Sequence, residues 1–199
     1  MRATFFAIAL CAGLAASAAP ARAGQPVRSG LALGFGLGGG YVSLTWPDED
    51  RGSEQSGMGA VRAGWAIRQD VIVGVEGWVW SKDYEIGSTP EDIPAEIKVW
   101  STALAATFFP GNTGFFLRGG VGVGGGRATV TPPPGDDFPI AGEWSTTGWS
   151  LSAATGYEVG VTPHLALGGT LHIVYVGVDD APFDNVLGYG LTVQFDWYW

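Results

Sequence analysis

The chain has 199 residues, 33 of them glycine, with 19 acidic and 10 basic side chains and a formal charge of −9. That is enough for one sizeable domain. The acidity argues against nucleic acid as a partner and against docking on anionic lipid through a broad basic patch.

Residues 1–23 read MRATFFAIALCAGLAASAAPARA. Arg2 gives a positive start, an apolar stretch runs from Phe5 to about Leu14, and Ala21-Arg22-Ala23 fits a signal-peptidase site. Residues 1–23 are therefore expected to be a cleaved signal peptide and 24–199 the mature domain. The apolar core is too short to span a bilayer comfortably. The only cysteine, Cys11, lies in this segment after Leu10, a poor context for lipid attachment. The exported part then has no disulfide.

Beyond residue 23, no apolar run reaches helical spanning length without charges, and no long stretch carries a period of 3.6. Short alternating segments recur instead, at 31–44, 58–67, 71–81, 97–108, 114–127, 145–159, 164–175 and 186–199. The connections at 68–70, 109–113 and 160–163 are short and turn-like. Those at 45–57, 82–96, 128–144 and 176–185 are long and polar. Long and short alternate strictly, so in an up-and-down sheet all long connections fall at one end. This predicts an all-β fold, an eight-stranded antiparallel up-and-down transmembrane β-barrel with short periplasmic turns and longer outer loops.

The faces follow from the alternation. In the first strand, Leu31, Leu33, Phe35 and Leu37 oppose Ala32, Gly34, Gly36 and Gly38. In the fifth, Phe115, Leu117, Val121 and Val123 oppose Phe116, Arg118, Gly120 and Gly122. The sixth and seventh repeat the pattern. An eight-stranded barrel is about wide enough to be filled by side chains, so the small-residue face points inward and the apolar face meets lipid. A soluble ligand-binding barrel would put polar residues outside. In the fourth strand either Val99, Ser101 and Ala103 or Trp100, Leu104 and Phe108 could face lipid. The second set carries the larger apolar residues and is preferred.

Parity then places Arg62, Glu76, Arg118 and Glu158 in the lumen. They are expected to pair there, because an unpaired buried charge is costly. The bland expectation is a structural network that plugs the barrel, in which case removing Arg118 should open it. The sharper alternative is a gate in a narrow porin-like channel for ions or small solutes. His172, Gln194 and Asp196 share the inward parity. His164 and His172 are the only histidines, too little to name a metal site. Aromatics are expected to form two girdles. Trp65, Phe109, Phe115, Trp197 and Trp199 lie at the short-turn end. Tyr41, Trp46, Trp80, Trp100, Trp144, Trp149 and Tyr175 lie near the long loops. Fifteen of the acids fall in the long connections, from Asp48 to Asp184. A solvated surface is the plainer reading of them, and divalent-cation binding beside anionic headgroups the weaker one. No spacing groups a nucleophile, base and orienter, there is no G-x-S-x-G, and Gly122 to Gly126 sit on a strand rather than before a helix. No enzyme activity and no cofactor are expected.

The export segment, the eight alternating segments and a last strand LTVQFDWYW resemble the outer membrane protein beta-barrel domain family of Gram-negative bacteria, which includes the OmpA-like transmembrane domain, OmpX and OmpW types. The resemblance covers essentially the whole mature chain. It implies residence in the cell outer membrane, contact with outer-membrane lipid and lipopolysaccharide, insertion by the barrel-assembly machinery, and a monomer. In that family the last strand carries the assembly signal, usually ending in phenylalanine. Here Leu191, Val193, Phe195, Trp197 and Trp199 correspond to it, with tryptophan in the final place. OmpW-like members imply an apolar lumen, from which the four lumenal charges depart. The function expected is structural or surface-interacting.

Overall fold

The computed structural model describes residues 25–46, 49–86, 93–130, 142–178 and 185–199. The expected signal peptide, Asp48, and the loop acids Glu91, Asp92, Asp136, Asp137, Asp179, Asp180 and Asp184 lie outside the described residues. Eight strands follow in order: β1 (Gly30–Trp46), β2 (Glu49–Arg68), β3 (Val71–Ile86), β4 (Ile93–Phe108), β5 (Phe115–Val130), β6 (Gly142–Gly160), β7 (Leu165–Gly177) and β8 (Asn185–Tyr198). Each pairs antiparallel with its neighbours, and β1 closes on β8 from Ala32 opposite Tyr198 to Thr45 opposite Asn185. Closure leaves no sheet edge, as a structure in hydrocarbon requires.

The strands are longer at the outer end than the alternation predicted. β1 and β2 stay paired as far as Trp46 opposite Glu49, and β3 and β4 as far as Ile86 opposite Ile93. Much of the expected first and second long loops is therefore strand, including the positions of Glu49, Asp50, Glu54, Asp83, Glu85 and Glu96. Above the membrane both faces of a ribbon meet water. Polar side chains are then compatible with continued backbone pairing, and the alternation that marks a half-buried strand disappears.

At the opposite end the connections are tight. Gln69 and Asp70 turn β2 into β3. Between β4 and β5 a 3-10 turn over Pro110–Asn112 holds Gly111 and Asn112 at φ 63° and 57°, a region that glycine and asparagine tolerate best.

The outward faces are apolar on every strand. Leu104 is 70% exposed and Val121 60%, and Phe35, Trp65, Val75, Leu151, Ile173 and Phe195 share that face. An apolar surface running round a whole molecule is incompatible with water and matches lipid. The soluble barrel is excluded on this ground. On β4, Trp100, Leu104 and Phe108 face out while Val99, Ser101 and Ala103 are buried, as the larger-residue rule predicted.

Two aromatics expected in the girdles lie inside instead. Trp80 is fully buried in the outer half of the lumen, and Phe109 is fully buried at the periplasmic mouth. Trp80 has the parity of Glu76 on β3, so its face was fixed by alternation although its type suits an interface. Phe109 lies in a turn, where strand parity gives no guide. The side chain of Trp46 lies outside the described ones.

Candidate functional site

The lumen is filled in three tiers. Nearest the periplasmic end, Ala32, Ala66, Ile72, Phe109, Phe116, Ala166 and Tyr198 form one buried cluster. In the outer half, Val42, Met58, Trp78, Trp80, Val99, Val174, Val176, Val178 and Val186 form another. Trp80 Nε1 donates to the carbonyl of Gly40 at 3.3 Å. Trp78 lies against Gly188, where an added Cβ would come within 2.7 Å of its ring. This outer tier is apolar. The charges occupy the tier between.

Arg118 Nη1 donates to Glu76 Oε2 at 2.5 Å, and its Nε donates to Thr107 Oγ1 at 3.0 Å. Arg62 Nε donates to Asp196 Oδ1 at 2.8 Å, and Arg62 Nη2 lies 3.9 Å from Glu158 Oε2. Glu158 also accepts from the Tyr198 hydroxyl at 2.8 Å. Gln194 bridges the polar side of the tier, donating to Asp196 and accepting from Thr170 Oγ1 at 2.9 Å. The four predicted charges thus all lie inside, but Arg62 does not bond Glu76, although the two stand opposite each other in register. Each turns to a partner farther round the barrel.

Small residues on the strands between make this possible. Arg62 on β2 and Asp196 on β8 meet over β1 at Gly34, where an added Cβ would lie 2.4 Å from Arg62 Nε and from Asp196 Oδ1. Arg118 on β5 and Glu76 on β3 meet over Ala103 and Ala105 of β4. Glu158 on β6 and Tyr198 at the end of β8 meet over Ala166 and Gly168 of β7. Glycines on the inward face therefore act as slots for long side chains from neighbouring strands.

The network contains two charged members outside the predicted four. Asp196 was recognisable by parity. Arg28 was not, because it precedes β1 in the strap Gln25–Ser29, where no strand periodicity exists. Val27 N donates to the Pro163 carbonyl at 2.9 Å, which draws the strap beneath the barrel. Gly30, at φ 65°, then redirects the chain into β1, and an added Cβ there would lie 2.3 Å from the carbonyl oxygen of Trp199. Arg28, 2% exposed, enters the mouth. Its Nε donates to Glu158 Oε1 and its Nη2 to the Thr113 carbonyl, both at 2.9 Å. Its guanidinium stacks 3.6 Å from the Phe109 ring centre. Arg28, Arg62 and Arg118 thereby balance Glu76, Glu158 and Asp196, so the tier is formally neutral. Neutrality matters because paired, hydrogen-bonded charges are the form in which a dry interior tolerates them.

Arg62 Nη1 and Arg118 Nη2 have no hydrogen-bond partner within the described protein. Cavities of about 20 and 10 Å³ lie against Arg62, Glu76 and Arg118, each with room for about one water. His172 Nε2 lies 3.0 Å from Thr192 Oγ1 inside, while His164 is exposed at the short-turn end with Nδ1 3.0 Å from the Tyr198 carbonyl. The two histidines share no site. Among the described residues, no group of three or more histidine, cysteine or acidic side chains is placed to hold a metal ion.

At the closing strand, Phe195, Trp197 and Trp199 all point outward, and Trp199 N donates to the Leu31 carbonyl at 2.9 Å. Trp65 and Phe115 lie exposed at the same end. At the outer end Trp149 packs against Tyr175 and Tyr41 stacks on Tyr189.

A family model described as "Outer membrane protein beta-barrel domain" matches residues 7–197. Among solved structures, the attachment invasion locus protein Ail of Yersinia pestis is 17% identical, with a TM-score of 0.55, covering 85% of this chain and 99% of that one. Neisserial surface protein A is 18% identical, with a TM-score of 0.58, covering 86% and 98%. At these identities the likeness is one of fold. No curated protein sequence matches the chain.

Proposed function

The chain belongs to the outer membrane protein beta-barrel domain family, and from that premise we propose that it is a closed barrel with a structural or surface-interacting role rather than a channel. It resides in the outer membrane, with lipid around its apolar belt. The observation that carries the reading is the double filling of the lumen. A neutral six-charge tier is backed by an apolar tier that contains two buried tryptophans. An ion crossing the first would still have to enter the second without hydration, which is prohibitive in a low-dielectric interior.

The same reading takes the protein as a monomer inserted by the barrel-assembly machinery, with Phe195, Trp197 and Trp199 as its signal. It takes lipopolysaccharide as the outer-leaflet neighbour, residues 1–23 as the export segment and catalysis as no part of its role. Conductance in planar bilayers tests closure. The wild type should show no steady openings. Arg118→Ala alone should also stay closed, because the apolar tier remains. Steady openings of the wild type would favour a narrow channel, for which the small cavities beside Arg62 and Arg118 would be the natural path.

A further inference from the structure

β1 is held weakly by its own side chains. Its inward positions between Ala32 and Val42 are Gly34, Gly36, Gly38 and Gly40, and of this strand only Ala32 and Val42 join the buried lumenal clusters. A strand lined by glycine has nothing to interlock with the filling beside it. β1 also forms the seam with β8, where the two ends of the barrel meet. Each other pairing joins strands that follow one another in the chain, whereas the seam closes the longest loop in the fold.

The seam is bridged from inside by side chains of other segments. Arg62 of β2 reaches over β1 to Asp196 of β8 at 2.8 Å. Arg28, in the strap ahead of β1, reaches Glu158 of β6 at 2.9 Å. Glu158 also accepts from the hydroxyl of Tyr198, the last residue of β8, at 2.8 Å. One carboxylate thus holds both the segment that leads into β1 and the strand that closes on it. Within the tier, only the pair of Arg118 and Glu76, on β5 and β3, lies wholly to one side of the seam.

The strap follows the course of a clasp. It turns at Gly30 against the Trp199 carbonyl, and Val27 N donates at 2.9 Å to the carbonyl of Pro163, in the turn between β6 and β7. It therefore crosses the ends of β8 and β7 before it is anchored. Pro26 and Arg28 are buried, while Gln25, Val27 and Ser29 are exposed, so alternate residues enter the mouth. All these contacts need a closed seam, because with β1 and β8 apart Arg28 and Glu158 stand on opposite banks. A segment that docks only on one form shifts the equilibrium towards that form by its whole docking free energy.

We propose that the strap Gln25–Ser29 is a latch on the β1–β8 seam, seating through Arg28 on Glu158 only after the barrel has closed and holding the glycine-lined β1 against lateral opening. The proposal is independent of whether the lumen conducts.

The test compares lifetimes of the folded barrel, read as loss of its fast-migrating band in SDS at a fixed raised temperature. Arg28→Met/Glu158→Gln removes the latch contact and leaves a neutral tier of four charges. Contacts made after closure act on unfolding rather than folding, so this variant should shorten the lifetime on the order of tenfold and leave the refolding rate within about twofold. The domain from residue 24 onward is thiol-free, so a short bifunctional methanethiosulfonate can staple chosen strands. Phe35→Cys/Phe195→Cys pins the seam, and Val75→Cys/Leu104→Cys pins β3 to β4, each pair directly opposed and facing out. With the seam stapled, loss of the latch should shorten the lifetime less than about threefold, and with β3 stapled to β4 the tenfold effect should persist. Val27→Pro removes only the bond to Pro163 and should show the same dependence on the staple with a smaller loss. Equal losses in the two stapled backgrounds would overturn the proposal, because the strap would then support the barrel as a whole. An unchanged lifetime in the unstapled variants, or a loss carried by the refolding rate, would overturn it as well.

Discussion

Arg28→Met removes the cation that joins the strap to the barrel interior. In the wild type, Arg28 is 2% exposed and donates to Glu158 and to the Thr113 carbonyl at 2.9 Å. Methionine keeps much of the packing on Phe109 but leaves Glu158 buried, with the Tyr198 hydroxyl and an Arg62 nitrogen 3.9 Å away. Breaking a buried ion pair by deleting one partner costs about 3–5 kcal/mol. The remaining partners of Glu158 place this case near the lower end, about 3 kcal/mol. Pairing the change with Glu158→Gln removes the stranded carboxylate, so the double variant should be more stable than the sum of the single ones by about 1–2 kcal/mol. Equilibrium urea unfolding in phospholipid vesicles, followed by tryptophan fluorescence, measures both quantities. A loss below about 0.5 kcal/mol for Arg28→Met would refute the reasoning, since a frayed terminal segment would lose no more.

The remaining expectations concern the slots, the tiers and the terminus. Gly34→Val should destabilise the barrel by about 1–3 kcal/mol through overpacking against Arg62 and Asp196. Gly169→Ala, where an added Cβ meets nothing within 4 Å, should stay within about 0.5 kcal/mol in the same unfolding assay. Trp78→Ala/Trp80→Ala/Arg118→Ala should conduct in planar bilayers, whereas Arg118→Ala and the tryptophan pair each stay closed, because each leaves one tier intact. Trp199→Phe should insert into membranes as the wild type does, and Trp199→Asp should insert less, as read by heat-modifiable mobility of the membrane fraction. Equal insertion of both would remove Trp199 from the assembly signal.

Strand count, closure and inward parity were legible because alternation survives wherever one face meets lipid and the other meets a packed interior. Leu31 to Leu37 and Leu191 to Trp199 show it without interruption. It fails where that contrast ends. Residues 49–57 are paired strand but polar on both faces, so they look like loop. The lumenal charges could be placed inside but not matched. Register puts Arg62 beside Glu76, yet each reaches across a neighbouring strand, because Gly34, Ala103 and Ala105 clear the way. Those small residues were visible only as a crowded-side pattern, not as particular slots. Arg28 carried no strand signal at all. Its one hint was a basic residue in an otherwise acidic chain, two positions before a glycine-rich strand. Trp80 shows the opposite error, in which residue type suggested a girdle while parity already pointed inward.

Closure of the lumen is tested most directly by chemical access to its outer apolar tier. The chain has one cysteine, Cys11, so the domain from residue 24 onward is thiol-free. Ser150, 1% exposed and bonded to Ser101 at 2.9 Å, can serve as a reporter when changed to cysteine. Ser53→Cys, on the exposed outer ribbon, serves as the reference. In the folded barrel in vesicles, a charged methanethiosulfonate reagent should label position 53 rapidly. It should label position 150 only after urea unfolding. Labelling of folded Ser150→Cys at a rate comparable to Ser53→Cys would mean that water and small ions penetrate the outer apolar tier, and the doubly filled, closed barrel would be wrong.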